Sequence, residues 1–146
     1  MKTFMRTKGG NDNSYQSGDA VNALKWQMRE SNASVVNYFK GLLSIRKAHP
    51  AFRMTNAKDV SSNLKFLAAP SSVVAYSING KASRDSWSTI VVSHNPNAKA
   101  VTVKLPAKGT WSIVVSGSTA GTKTIATLKN ATTVSVPAQS TIVLHK

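Results

Sequence analysis

The side chains that could act as general acids, general bases or metal ligands are few and scattered along this chain. Five are acidic and three are histidines: Asp12, Asp19, Glu30, Asp59, Asp85, His49, His94 and His145. Hydrolysis of a glycosidic bond needs two facing carboxylates, but the aspartates lie in a polar segment or in predicted turns, where nothing holds a pair rigidly. The histidines are isolated from one another and from the carboxylates, and cysteine is absent. The residues therefore predict no catalytic group, no metal site and no cofactor.

A polar segment near the start of the chain is the other candidate for chemistry. Residues 6–26 read RTKGGNDNSYQSGDAVNALKW, with glycine, asparagine, aspartate and serine around one tyrosine. The segment lacks the ligand spacing of an EF-hand and the Gly-Lys-Ser/Thr of a phosphate-binding loop. On the residues alone it is a disordered tail, a ligand-binding loop or the edge of a larger structure.

The charge of the chain is strongly positive, with 19 Lys and Arg against 5 Asp and Glu, a net charge of +14. Such a charge favours polyanionic partners. The basic residues are spread evenly, however, with no arginine-rich run and no interleaved aromatic residues. Several occur singly in strand-like segments, where we expect them to face solvent: Lys99, Lys104, Lys123 and Lys129. We therefore expect no specific nucleic-acid binding. No apolar run is long enough for a transmembrane segment.

Residues 31–49, SNASVVNYFKGLLSIRKAH, have the periodicity of one long α-helix. Apolar residues recur at three- and four-residue spacing, and they are Val35, Val36, Phe39, Leu42, Leu43 and Ile45. Ser31 or Asn32 is expected to cap the start of the helix, and Pro50 to end it. Because the apolar stripe is wide, the helix needs a substantial partner surface.

From about residue 64 the hydrophobic period changes to two, which predicts strands. Seven runs follow: KFLAA, SVVAYSIN, STIVVSHN, AVTVKLP, TWSIVVSG, TTVSVP and STIVLHK. Asn79-Gly80 predicts a tight hairpin turn, residues 106–109 predict a break, and residues 57–63 predict one short helical turn. The spacing of the strands indicates an antiparallel β-sandwich or barrel. We expect Trp87 and Trp111 to fill its core or edge rather than to stack on sugars.

Three blocks of the first half carry a resemblance to a known family. In order they are FMRTKGGNDNSY, GDAVNALKW and NYFKGLLSIRKAHPAFRM, within residues 4–54. Together they resemble type I pullulanases, the α-1,6-debranching branch of glycoside hydrolase family 13. The later β-rich half is similar in pattern, since those enzymes end in an all-β domain.

The resemblance implies a mainly β fold, an antiparallel β-sandwich preceded by a loop and one long α-helix from the end of a (β/α)8 barrel. Residues 1–53 would be the last loop and helix of that barrel, and residues 54–146 the C-terminal sandwich. The family's catalytic carboxylates lie upstream, so none can be assigned to this chain. Residues 1–3 stand where the family has Gly-(Glu/Asp)-Glu, as expected of a C-terminal piece. Such a piece would be inactive alone, and its β-domain would stabilise the barrel.

The same resemblance implies a role for the polar segment. It would lie beside the substrate cleft, where active-site loops of such barrels gather. Five residues would then border the subsites for α-glucan: Asn11, Asp12, Asn13, Ser14 and Tyr15. Asp19 and Asn22 are weaker candidates. The alternative is that the loop only braces its neighbours.

Two further possibilities stay open at this point. The rival function is a stand-alone basic β-sandwich module that binds polysaccharide or an anionic cell-surface polymer. The apolar helix at 31–49 could also mediate self-association of the chain. The sequence assigns no cellular location, and the resemblance fits an extracellular or cell-surface parent as well as a cytoplasmic one.

Overall fold

The computed structural model describes residues 4–146, so the expectation about residues 1–3 lies outside the described range. Four α-helices come first: α1 (Asp19–Asn22), α2 (Gln27–Ser31), α3 (Ala33–Ala48) and α4 (Ala57–Asn63). Short 3-10 turns occupy Lys8–Gly10, Pro50–Arg53 and Lys81–Ser83. The long helix and the short helical turn at 57–63 are both confirmed. Within the described range, no helix has the length and apolar character required to cross a bilayer.

The start of α3 differs from the expected side-chain cap. Asn32 is the N-cap residue, but its side chain makes no capping hydrogen bond. Its Nδ2 instead donates to the carbonyl oxygens of Phe4, at 3.1 Å, and Met28, at 3.0 Å. Ser31 Oγ donates to the carbonyl of Gln27. The capping prediction was wrong because both side chains turn back to satisfy carbonyl groups that precede the helix.

The second half of the chain forms one antiparallel sheet of seven strands. The strands are β1 (Leu64–Phe66), β2 (Val74–Asn79), β3 (Thr89–Asn95), β4 (Val101–Ser116), β5 (Thr119–Ala120), β6 (Ala126–Val136) and β7 (Ser140–His145). Their order is β1-β2-β3-β7-β4-β5, with β6 paired to β4. The C-terminal strand β7 thus lies between β3 and β4, which makes it central to the fold.

The break expected at residues 106–109 is not present, because β4 runs without interruption from Val101 to Ser116. Its pairing with β6 shifts register between Lys104 and Gly109 and again between Gly109 and Trp111. A bulge of this kind accommodates Pro106, which has no N–H to donate to the ladder. The proline and glycine therefore mark an irregularity inside one strand rather than a turn between two.

Two apolar clusters lie on opposite sides of the sheet. The first joins β2, β3 and β7 to β4 and β6, so the sheet closes over itself as a sandwich; its members include Val91, Val103, Trp111, Val134, Ile142 and Leu144. The second lies beneath α3 and the turn at Pro50–Arg53; its members include Ile45, Ala51, Ile78, Trp87, Ile90 and Val143. The expectation that Trp87 and Trp111 pack in the core or at its edge is confirmed, since they are 8% and 0% exposed.

Helix α3 approaches the sheet closely through Gly41. A Cβ at this position would lie 1.9 Å from the carbonyl oxygen of Ala120 in β5. Val36 and Ile45 are buried, whereas Phe39 and Leu43 are 41% and 61% exposed. The β-half therefore covers only one side of the apolar stripe, and the other side faces outward.

The connection after β2 is not the tight two-residue turn expected at Asn79-Gly80. Gly80 has φ of −69°, a 3-10 turn follows at Lys81–Ser83, and Arg84 adopts a left-handed φ of 56°. Glycine is needed here for space, since a Cβ at residue 80 would lie 1.9 Å from the carbonyl oxygen of Trp87. The connection folds back in this way and brings Asp85 beneath α3.

Candidate functional site

The polar loop, residues 6–22, begins with a run of left-handed backbone. Lys8, Gly9 and Gly10 have φ values of 54°, 63° and 81°. Glycine adopts such angles without steric cost, which accounts for the Gly-Gly pair. The reversal directs the following residues back toward α1.

Three side chains tie the polar loop into a closed unit. The Asn22 Nδ2 donates to the carbonyl oxygens of Ser14, at 2.7 Å, and of Ser17. Lys8 Nζ donates to Asn22 Oδ1 at 3.1 Å and to Ser14 Oγ. Ser14 is buried and these bonds are partly buried, so they are partly shielded from water and hold both ends of the loop together.

The five predicted substrate-binding residues fall into two groups. Asn11 and Ser14 are used inside the loop: Asn11 Oδ1 accepts from the Asn13 N–H, its Nδ2 donates to Ser17 Oγ, and Ser14 is buried. Asp12, Asn13 and Tyr15 are exposed, and their side chains form no hydrogen bond with residues 4–146. The Tyr15 ring is 83% exposed. The bracing interpretation thus fits the first group, while the second is free to meet a ligand.

A cleft of about 370 Å³ is lined in part by residues of the polar loop. Its walls include Arg6, Lys8 and Lys25, but none of the five predicted residues. The Arg6 guanidinium is already hydrogen-bonded within the loop, because its Nη2 donates to the carbonyl oxygens of Val21, at 3.2 Å, and Asn22. The walls of the cleft carry three basic side chains, and Tyr15 is not among the residues that line it.

The prediction that the histidines are isolated is wrong for two of them. His49 Nδ1 lies 2.7 Å from Asp85 Oδ1. The His49 ring stacks on Trp87 with 3.3 Å between ring centroids, and His145 stacks on the other face of Trp87 at 4.0 Å. Sequence spacing could not reveal this cluster, because its members come from the end of α3, the β2–β3 connection and β7. We call these four residues the histidine cluster.

Burial and hydrogen bonding shift the pKa values of two members of the histidine cluster, Asp85 and His145. Burial acts to raise the pKa of Asp85, but hydrogen bonds from His49 and from the N–H groups of Trp87 and Ala51 outweigh it and hold that pKa below the usual value. Burial lowers the pKa of His145, whose Nδ1 has no hydrogen-bond partner among residues 4–146. Since the Asp85 side chain is 0% exposed, it cannot reach a substrate. The hydrogen bonds of Asp85 and the stacking on Trp87 make the cluster a structural joint between the end of α3 and the sheet.

In the described part of the chain, no three His, Asp or Glu side chains converge in an arrangement that could hold a metal ion. The four lysines expected to face solvent from strands are all exposed, but only Lys104 and Lys129 lie in strands, β4 and β6; Lys99 and Lys123 lie in the connections before β4 and β6.

Comparison with known proteins identifies relatives. A family model described as "Pullulanase, all-beta domain" matches residues 60–119. The pullulanase of Bacillus subtilis strain 168 is 41% identical over 103 residues, 70% of this chain and 14% of the relative. An isoamylase of a Flavobacterium species is 34% identical over 126 residues, 73% of this chain and 16% of the relative.

Solved structures extend the likeness to nearly the whole chain. The pullulanase from Bacillus acidopullulyticus matches with a TM-score of 0.93 and 41% identity, over 99% of this chain and 17% of that one. The type I pullulanase from Bacillus subtilis, complexed with maltose, gives 0.87 and 34%, over 98% and 20%. The Paenibacillus barengoltzii pullulanase, in complex with maltohexaose and α-cyclodextrin, gives 0.85 and 36%, over 98% and 21%. The chain spans about a fifth or less of these proteins, and it belongs to the pullulanase family.

Proposed function

We propose that this chain is the C-terminal part of a debranching enzyme that hydrolyses α-1,6-glucosidic bonds in pullulan, starch or glycogen. The observation that carries the proposal is the structural likeness to pullulanases over almost the entire chain, polar loop and helix included. Residues 1–53 would complete a catalytic barrel, and residues 54–146 would form the β-domain that stabilises it. The catalytic carboxylates would come from the barrel, so the chain alone would not hydrolyse glucan.

Within that enzyme, the polar loop would border the glucan subsites. Asp12 and Asn13 would hydrogen-bond sugar hydroxyls, and Tyr15 would stack on a pyranose ring, because these side chains are exposed. Asn11 and Ser14 would act indirectly by holding the loop in shape. Relatives of this chain have been solved in complex with maltose and maltohexaose, which supports an α-glucan ligand.

The rival function, a stand-alone basic binding module, is not favoured, because the similar proteins are pullulanases and isoamylases.

The proposed function also gives a role to the exposed apolar side of α3. Phe39 and Leu43 would be covered by the barrel in the whole enzyme. In the lone chain the same face would mediate self-association, which sedimentation at increasing protein concentration would detect.

A chimera tests the proposed function. The chain replaces the corresponding residues of the Bacillus subtilis pullulanase, and release of reducing ends from pullulan is measured for the chimera and for the lone chain. We expect hydrolysis by the chimera and none by the lone chain. Within the chimera, Tyr15→Ala should lower kcat/KM by about tenfold, roughly one stacking contact, while Tyr15→Phe should retain most activity. A folded chimera without activity, or a Tyr15→Ala chimera at full activity, would contradict the proposal.

A further inference from the structure

A second groove lies far from the polar loop in sequence, between α3 and the end of the sheet. It has a volume of about 590 Å³. Tyr38 of α3 forms one wall, and the strand ends and turns of the sheet form the rest: Ser72, Val74, His94, Asn95, Pro96, Gly117, Gln139, Ser140 and Thr141. We call it the neutral groove, for the reason given below.

The floor of the neutral groove continues the sheet face that α3 covers. Val74 pairs with His94, and His94 pairs with Thr141. Since side chains two residues apart in a strand share a face, this row lies beside the row in which Tyr76 pairs with Val92 and Val92 with the buried Val143. The helix covers the inner row but leaves Val74 47% exposed. An apolar floor with a phenol wall is therefore open to solvent.

The walls of the neutral groove contain no Lys, Arg, Asp or Glu among the described residues. This is unusual in a chain with a net charge of +14. Four other clefts of the described chain each have at least one Lys or Arg in their walls. Burial raises the pKa of Tyr38, so its phenol is uncharged at neutral pH. The groove combines apolar surface with hydroxyl and amide groups and the His94 imidazole, and this mixture of apolar and hydrogen-bonding groups suits a neutral polyol.

The polar end of the neutral groove is rigidly built. Asn95 is 2% exposed, and its Nδ2 lies 2.9, 3.2 and 2.9 Å from the carbonyl oxygens of Lys99, Val136 and Pro137, so its two hydrogens are shared among three acceptors. The Gln139 N–H donates to the carbonyl of Asn97 at 3.0 Å. These bonds connect the turns after β3 and β6, so the backbone at this end of the groove is held in place before any ligand arrives.

His94 offers a defined hydrogen-bonding group in this groove. Its Nδ1 lies 2.8 Å from Thr141 Oγ1, and the side chain of His94 is exposed. The hydroxyl fixes the ring orientation and leaves the second ring nitrogen for a ligand. A hydroxyl of a sugar can both donate and accept at such a nitrogen.

We propose that the neutral groove binds a linear α-glucan chain at a site separate from the polar loop. The apolar face of a glucose ring rests on Tyr38 and Val74, and its hydroxyls bond to His94 and Thr141. The choice of an α-linked glucan rests on the proposed function, whereas the choice of a neutral saccharide rests on the groove itself. In the proposed whole enzyme, such a site holds the polymer close to the catalytic barrel.

Titration of the 15N-labelled 146-residue chain with maltohexaose tests the proposal. We expect saturable shifts of the amide signals of residues 72–74, 94–96 and 139–141, with a dissociation constant in the millimolar range. Val74→Lys places a charge on the floor and should weaken binding by about tenfold, a loss of roughly 1.4 kcal/mol. Val60→Lys is the matched control, because Val60 is an exposed valine of α4 outside the groove; it should bind within twofold of the parent chain. Circular dichroism verifies the fold of each variant.

Three outcomes would overturn the proposal: no saturation by maltohexaose, shifts confined to residues 6–22, or equal weakening by both lysine variants. Cellohexaose, a neutral β-linked glucan, should bind at least about fivefold more weakly; equal binding would reject the assignment to α-glucan. Dextran sulfate should not shift the groove signals, and shifts there would reject a neutral ligand. The titration uses the lone chain and tests only the neutral groove, whereas the chimera tests the proposed function. A failure of one proposal can therefore be distinguished from a failure of the other.

Discussion

The imidazole of His49 and the carboxylate of Asp85, 36 residues apart in sequence, lie with Nδ1 2.7 Å from Oδ1 in the interior. The same carboxylate accepts the N–H of Trp87 at 2.9 Å and the N–H of Ala51 at 3.1 Å. Asp85 therefore fastens the end of α3 and the turn after it to the β2–β3 connection. His145 of β7 stacks on the other face of Trp87, so this joint also includes strand β7.

Removal of the Asp85 carboxylate should destabilise the whole chain. Asp85→Ala leaves His49 and two buried N–H groups without an acceptor, and we expect the free energy of unfolding to fall by about 3 kcal/mol. Urea denaturation followed by fluorescence measures it. Asp12→Ala removes an exposed carboxylate and should change stability by less than about 0.5 kcal/mol. Similar values for the two variants would show that the joint contributes little.

The histidine cluster should also make stability fall with acid. Burial holds the pKa of His145 below its usual 6.5, and hydrogen bonds hold that of Asp85 below 3.8. In both cases the unfolded chain takes up protons first as the pH falls. The stabilisation is therefore complete above each usual value and is lost as the pH falls through the folded pKa, first for His145 and then for Asp85.

Replacement of His145 separates the two steps. His145→Phe keeps a ring against Trp87, removes the buried Nδ1 that lacks a partner, and should flatten the loss of stability just below pH 6.5. Thermal unfolding between pH 7.5 and pH 5, roughly the range of histidine titration, measures this. His145→Gln, which also cannot titrate, should flatten the same region. An unchanged slope in both variants would assign the acid sensitivity to other groups.

Local pattern was sufficient for α3 and for most of the strands, because alternation and helical periodicity report which faces are buried; no predicted run corresponds to β5, and two predicted runs form the single strand β4. Prediction from local pattern failed where the conformation of a residue depends on contacts with residues far away in sequence. The sequence predicts a strand end at Pro106, yet β4 continues through this residue because a bulge in the β4–β6 pairing accommodates it. The sequence also predicts a tight turn at Gly80, yet glycine is needed there to leave room for the Trp87 carbonyl. The histidine cluster could not be predicted for the same reason, since nothing in the local sequence indicates that His49 contacts Asp85.

The close approach of α3 to β5 predicts a helix position that rejects alanine. Gly41→Ala would add up to about 1 kcal/mol of helix propensity, but its Cβ would lie 1.9 Å from the Ala120 carbonyl oxygen. We expect a net loss of about 2 kcal/mol. Gly121→Ala is the control, because its Cβ would meet no atom within 4 Å and its φ lies outside the left-handed region. Chemical denaturation of both variants decides the point, and equal stability would mean that α3 can shift away from β5.

The shape of the polar loop should depend on one amide. Asn22→Ala removes the bonds to the Ser14 and Ser17 carbonyls and the acceptor of Lys8 Nζ. The Ser17 N–H, which donates to the Ser14 carbonyl at 3.0 Å, should then exchange with solvent about tenfold faster, as expected for a loss of one to two hydrogen bonds. Hydrogen–deuterium exchange measures this directly. Asn13→Ala deletes an exposed side chain that bonds to nothing among residues 4–146, so it should leave exchange at Ser17 unchanged. If both variants exchange alike, the loop is held by other contacts, and Asn22 loses its bracing role.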